Sequence, residues 1–152
     1  MHRTAVYLLV ALLMFLPISV HAQSATPLAM GADSASGDFA GLVDIGGRSL
    51  YLECHGTGSP TVVLIGGYRS SARFWTDDLL QSETPREMVL AGVAGTTRVC
   101  AYDRPGTIAS IGEEILASRS DAIAQPRTAP EVVAELHALL EAAEVPGPYV
   151  LA

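Results

Sequence analysis

From residue 61 the chain runs Thr-Val-Val-Leu-Ile without a polar interruption until Gly66 and Gly67 end the run. An apolar stretch that does not alternate reads as a strand covered on both faces, as in a parallel sheet with helices on each side. A second such strand spans Arg98 to Tyr102 and stops at Asp103-Arg104-Pro105-Gly106, where proline and glycine force a turn. A third, also expected to be buried, begins at Tyr149 and runs to Ala152. Ahead of these, Leu42 to Ile45 and Arg48 to Cys54 are short strand-like runs joined by Gly46-Gly47. Two glycines in that place suit a tight turn at positive φ and predict an antiparallel hairpin.

Between the strands the period lengthens. Ser71 to Leu80 reads as a short helix carrying Phe74, Trp75, Leu79 and Leu80 toward the sheet, and Glu113 to Ala124 as a further helix. The clearest helix starts at Thr128, because Thr128-Ala129-Pro130-Glu131 has the capping-box form and proline is tolerated in a first turn. Val132, Val133, Leu136, Leu139, Leu140 and Ala143 then follow the helical period, with Glu131, Glu135, Glu141 and Glu144 mainly outside that stripe. An antiparallel hairpin followed by strand, helix, strand, helix, strand is an α/β pattern. Its ligand site belongs at the carboxyl ends of the parallel strands: Gly66 to Ser71, Asp103 to Ser110, and whatever follows Ala152.

The first 38 residues carry a different pattern. His2 and Arg3 precede an apolar run from Ala5 to Val20, and Val20-His21-Ala22 has the small-residue form of a cleavage site, so residues 1–22 read as an export signal. The run falls short of the roughly 20 residues that span a bilayer, so no stable membrane anchor is expected. Residues 23–38, rich in Ala, Ser, Gly and Asp, read as a disordered lead-in to a folded part at 39–152. The protein is therefore expected to be secreted or periplasmic.

Charge removes some function classes. Sixteen Asp and Glu stand against nine Arg and no Lys, and no basic stripe runs along the sequence, which argues against nucleic acid or an anionic membrane as partner. Export permits a disulfide between the two cysteines, Cys54 and Cys100, although two separate buried thiols fit the sequence equally. No CxxC occurs, and His55 and His137 are the histidines left after the signal, so no metal site is expected.

Taken in order, TVVLIGGYRSSARFW, TTRVCAYDRPGT and HALLEAAEVPGPYVLA resemble the N-terminal part of an α/β-hydrolase, from about Gly41 onward. The resemblance implies serine-type hydrolysis of an ester, amide or related bond in a small-molecule substrate, with no metal and no organic cofactor. In that family the turn after the first buried parallel strand supplies a backbone N–H to the oxyanion hole. Here this implies Tyr68 N–H, with Gly67 N–H second, the glycines allowing a sharp turn and a bare amide; Gly66 stands where many relatives have histidine. The resemblance also sets the strand with Cys54 beside the strand with Cys100, which implies a Cys54–Cys100 disulfide.

Asp103 precedes the expected nucleophile, and a triad acid follows it in this fold, so Asp103 reads as a turn-stabilising carboxylate bonded to local amides. The nucleophile is expected in a G-x-S-x-G elbow immediately after PYVLA, past Ala152. Ser110 lacks the first glycine and follows the wrong strand; His55 lies in the loop before Thr61, and His137 lies within the capped helix. Nucleophile, acid and base are all expected to be missing from this chain, which makes it inactive by itself. The alternative is a noncatalytic exported binding module, or a half-domain that needs a partner.

Overall fold

The computed structural model describes residues 37–81 and 83–152. The expected signal at 1–22 lies outside them, as does the lead-in apart from Gly37 and Asp38. Strands β1 (Phe39–Asp44) and β2 (Ser49–His55) form the anticipated antiparallel hairpin, from Phe39 opposite Cys54 to Asp44 opposite Ser49. Its turn has the expected chemistry. Gly46 and Gly47 sit at φ +92° and +95°, and the Asp44 carboxylate accepts both amides, at 2.8 and 3.2 Å.

Strand β3 (Thr61–Leu64) leads into two short helices, α1 (Arg73–Thr76) and α2 (Val89–Ala94), and then strand β4 (Val99–Tyr102). A two-stranded ribbon, β5 (Ile108–Ile111) with β6 (Glu114–Ala117), precedes helix α3 (Ala129–Ala142) and strand β7 (Tyr149–Leu151). The main sheet has the order β1-β2-β4-β3-β7; β4 runs antiparallel to β2, and β3 runs parallel to both its neighbours.

The unbroken apolar runs have the predicted cause, since helices cover both faces. Val63, Cys100 and Tyr102 join Leu50, Leu52 and Cys54 under Leu136, Leu139 and Leu140 of α3. Leu64, Val99 and Ala101 point the other way, against Leu90 of α2, with Trp75 packed beside them. Cys54 and Cys100 stand directly opposite each other on β2 and β4, Cα atoms 4.0 Å apart, and form the implied disulfide inside the α3-side core.

Helix α3 begins as its capping box predicts, Thr128 N–H and Oγ1 both reaching the Glu131 carboxylate at 2.7 Å. Its buried stripe differs from the expected one at two places. Val133 is 66% exposed, whereas Glu135 is buried, because Arg48 and Arg127 both pair with its carboxylate. Two guanidinium groups on one carboxylate offset the cost of removing it from water.

Three further expectations are corrected. The Ser71–Leu80 helix shrinks to α1, since Asp77 is extended and ties back to Arg73 Nε at 2.8 Å; Trp75 packs inward, while Phe74 and Leu80 are exposed. The Glu113–Ala124 segment is not helical. Gly112, at φ +58°, opens a two-residue turn with Glu113 and folds β6 back onto β5. Strand β7 forms as anticipated and pairs with β3, but it is exposed where burial was expected, Leu151 by 60%, because among the described residues no helix or further strand covers it. Helix α2 was not anticipated: six residues containing Gly92, with no side-chain cap, leave little local signal.

Candidate active-site cleft

The carboxyl ends of β3 and β4 open into a cleft of about 800 Å³. Tyr68 and Arg69 line it from the turn after β3, and Arg104 to Ile108 from the segment after β4. Gln125 to Arg127, with Val132 of α3, close the remaining side. This is the sheet end at which the parallel-strand rule places a ligand.

The turn after β3 holds both candidate oxyanion donors at the surface. Gly67 is exposed and Tyr68 is 91% exposed. Among the described residues, neither the Gly67 nor the Tyr68 N–H meets an acceptor. Arg104 Nη2 donates to the Gly67 carbonyl. That carbonyl and the Tyr68 N–H belong to one peptide, which is trans, so they project from opposite edges of its plane. Arg104 thus fixes the carbonyl edge and leaves the N–H edge free. A cation on the carbonyl also polarises the amide, making its N–H a stronger donor.

The reason for two glycines here differs from the expected one. The left-handed residue of the turn is Arg69, at φ +58°, and neither Gly66 nor Gly67 has positive φ. A Cβ on Gly66 would lie 3.2 Å from Ser70 Oγ, a tight contact that any larger residue would have to relieve by shifting Ser70. A Cβ on Gly67 would meet nothing within 4 Å, so Gly67 leaves open space beside the amide. Across the cleft, Gly106 is favoured by its φ of +73°, whereas a Cβ there, 2.7 Å from Gln125 Nε2, would meet only the movable end of that side chain.

Asp103 is a carboxylate that stabilises turns, but its partners are distant in sequence. It is fully buried. Oδ1 accepts the Ala72 N–H at 2.7 Å; Oδ2 accepts the Arg119 N–H at 3.0 Å and Arg119 Nε at 2.7 Å. Its own N–H donates to the Tyr51 carbonyl at 3.1 Å, and its carbonyl accepts from Ser120 Oγ. One side chain therefore joins the segment after β3 at Ala72, the end of β4 and the chain after β6. Arg119 extends the network by stacking over the Tyr51 ring, 3.3 Å from its centroid.

The other sequence candidates lie apart from this constellation. Ser110 is exposed on β5, and His137 is exposed on α3, 3.8 Å from Glu141. His55, on β2, sits between Asp38 and Glu53, both at 3.1 Å. Hydrogen bonds from His55 and the Gly56 amide hold the Asp38 carboxyl below the usual carboxylate range. Among the described residues no serine hydroxyl bonds to a histidine, and no group of His, Cys, Asp and Glu is placed to hold a metal ion. The arginines of the cleft were the residues that sequence reasoning missed. Arg104 stood in a turn of which Asp103 alone was interpreted, and nothing local ties Arg69 or Arg127 to it.

No protein-family model and no curated protein sequence matches the chain. Solved structures do match. They include a lipase candidate from Acinetobacter baumannii AYE, at 21% identity and TM-score 0.51 over 76% of this chain and 32% of that one. A bromoperoxidase from Bacillus anthracis matches at 27% identity and TM-score 0.50 over 74% and 34%. The haloalkane dehalogenase DatA from Agrobacterium tumefaciens C58 matches at 20% and 0.51 over 78% and 33%. The fold is that of an α/β-hydrolase sheet, an antiparallel hairpin followed by parallel strands with helices on both faces. The chain spans about a third of the length of these structures.

Proposed function

We propose that this chain is the N-terminal part of an exported serine-type hydrolase that cleaves an ester, amide or related bond, and that it supplies the oxyanion-hole turn. The observation that carries the reading is the Gly67–Tyr68 peptide. Its carbonyl is held by Arg104, its N–H meets no acceptor among the described residues, and Tyr68 and Arg104 both line the cleft at the carboxyl end of the sheet. An amide held in place before the substrate arrives stabilises the negative oxygen of a tetrahedral intermediate without reorganising during the reaction. Loss of one such donor costs about 3 kcal/mol of transition-state stabilisation. Tyr68 N–H is the primary donor and Gly67 N–H the second; the nucleophile, acid and base come from outside the described residues. The 32–34% span of the neighbours supports a partial domain, and a buried disulfide suits an oxidising compartment. Among the described residues no helix is long and apolar enough to cross a membrane.

The purified 152-residue chain is expected to release no more p-nitrophenol from p-nitrophenyl acetate than a denatured control. Turnover well above that control overturns the division of labour proposed here. Coding DNA beyond residue 152 is expected to contain a Gly-x-Ser-x-Gly elbow directly after the β7 codons, in frame or shifted. Its absence from all frames favours the noncatalytic half-domain.

A further inference from the structure

The cleft is positively charged in an acidic protein. The chain has 16 acidic residues and nine basic ones, yet the cleft lining contains Arg69, Arg104 and Arg127 and no Asp or Glu. Four of the other guanidinium groups pair with carboxylates: Arg48 with Glu135, Arg73 with Asp77, Arg86 with Asp78 and Arg119 with Asp103. Arg98 donates to the Gly37 and Gly56 carbonyls. In the cleft only Arg127 has a carboxylate partner, Glu135. Among the described residues Arg104 bonds only to the Gly67 carbonyl, and its Nε is buried without a partner. Arg69 has no partner among the described residues and occupies a left-handed backbone conformation that a non-glycine residue adopts at some cost.

We propose that this cleft selects ligands bearing an oxyanion, a carboxylate or a phosphate, on a small apolar body, and that Arg69 is the anion's first partner. This deepens the hydrolase reading and rests on it for the word substrate; the binding claim itself needs no catalysis. A single exposed ion pair is worth little in water, so selectivity requires several cations around one partly desolvated cleft. Arg69, Arg104 and Arg127 meet that condition from three separate segments. Tyr68, Ile108 and Val132 supply apolar surface for the rest of the ligand. A volume of about 800 Å³ suits a small molecule rather than a polymer.

The test titrates the 152-residue chain with benzoate, phenyl phosphate and the neutral isostere benzamide, following backbone amide shifts by NMR. Benzoate and phenyl phosphate are expected to shift Tyr68, Arg69 and Arg104 to Ile108, with benzamide roughly tenfold weaker, the size of one charge-assisted contact. The tighter of the two anions names the oxyanion. Arg69→Gln is expected to reduce both anions to the benzamide level, while Arg86→Gln, whose partner is Asp78, leaves them unchanged. Arg69→Gly is expected to do the same as Arg69→Gln while raising Tm, because glycine accepts φ +58°, which separates lost binding from lost folding. Equal affinity for benzoate and benzamide, or full benzoate affinity in Arg69→Gln, overturns the proposal. Anion binding without any downstream serine elbow retires the hydrolase reading alone.

Discussion

The α3 side of the sheet and the cleft at the ends of β3 and β4 are built from opposite materials. Under α3 lie Leu50, Leu52, Val63, Leu136 and Leu139 with the Cys54–Cys100 disulfide, and the charge buried there, Glu135, is met by two arginines. The cleft has glycine at 106, Tyr68 91% exposed, and cations without carboxylates among the described residues at Arg69 and Arg104. One side pairs its buried carboxylate and leaves single polar atoms such as the Tyr102 hydroxyl unpartnered; the other leaves whole guanidinium groups without a carboxylate and a backbone amide without an acceptor among the described residues. A ligand is the natural partner for what remains, so stability and recognition occupy different ends of the same strands. Asp103 is the joint between them, buried like the first region and bonded at Ala72 to the segment that follows the turn of the second.

The largest effect is expected from opening the closed region covalently. Replacing Cys54 and Cys100 together by alanine is expected to cost about 4 kcal/mol by the chain-entropy argument for their 46-residue separation. Urea unfolding measures it; a loss below 1 kcal/mol would mean that packing alone holds β2 to β4. Because both sulfurs lie in the α3-side core, benzoate binding in the folded fraction is expected to be unchanged. Asp103→Asn comes next. It leaves Arg119 without a counter-charge, and since the Asp103 side chain is fully buried and that of Arg119 about one-third exposed, about 3 kcal/mol is expected, the low end for a broken buried pair. Here amide shifts at Ala72 and Tyr68 are expected to move too. If stability falls and the turn does not move, Asp103 belongs to the closed region alone.

The closed region was the more legible in sequence, for a physical reason. Unbroken apolar runs such as Thr61–Ile65, a capping box at Thr128 and paired glycines at 46 and 47 each report a local requirement of the backbone. The disulfide followed once topology set β2 beside β4. The cleft was legible in position, because strand ends follow from strands, but not in charge. Residues 69, 104 and 127 come together only in the fold, so a search for a basic stripe along the chain missed them. Glu135 failed for the same reason: a glutamate on an amphipathic helix reads as solvated until Arg48 and Arg127 arrive from elsewhere. The β5–β6 ribbon was hidden by helix-favouring residues, Glu113 through Ala117, that a positive-φ glycine at 112 overrode.

The smallest expected effect sits within the closed region and tests how complete its accounting is. The Tyr102 hydroxyl is buried without a hydrogen-bond partner among the described residues, and burial pushes its pKa up to about 12 from 10.0. Raised in the folded state, this group leaves stability intact below pH 10; between pH 10 and 12 the unfolded chain ionises while the folded one does not. Stability is therefore expected to fall across that window, by roughly 2 to 3 kcal/mol for a shift of this size at 1.36 kcal/mol per pKa unit. Tyr102→Phe removes the phenol and with it this loss. It also deletes an unpaired polar atom and is expected to be neutral or stabilising by up to about 1 kcal/mol at pH 7. Tyr51, whose pKa burial also raises, still titrates in the variant, so the difference between the two proteins isolates Tyr102. Destabilisation of Tyr102→Phe by more than 1 kcal/mol at pH 7 would show that the hydroxyl has a partner after all, a buried water between β4 and α3, and that the closed region is wetter than its apolar lining implies.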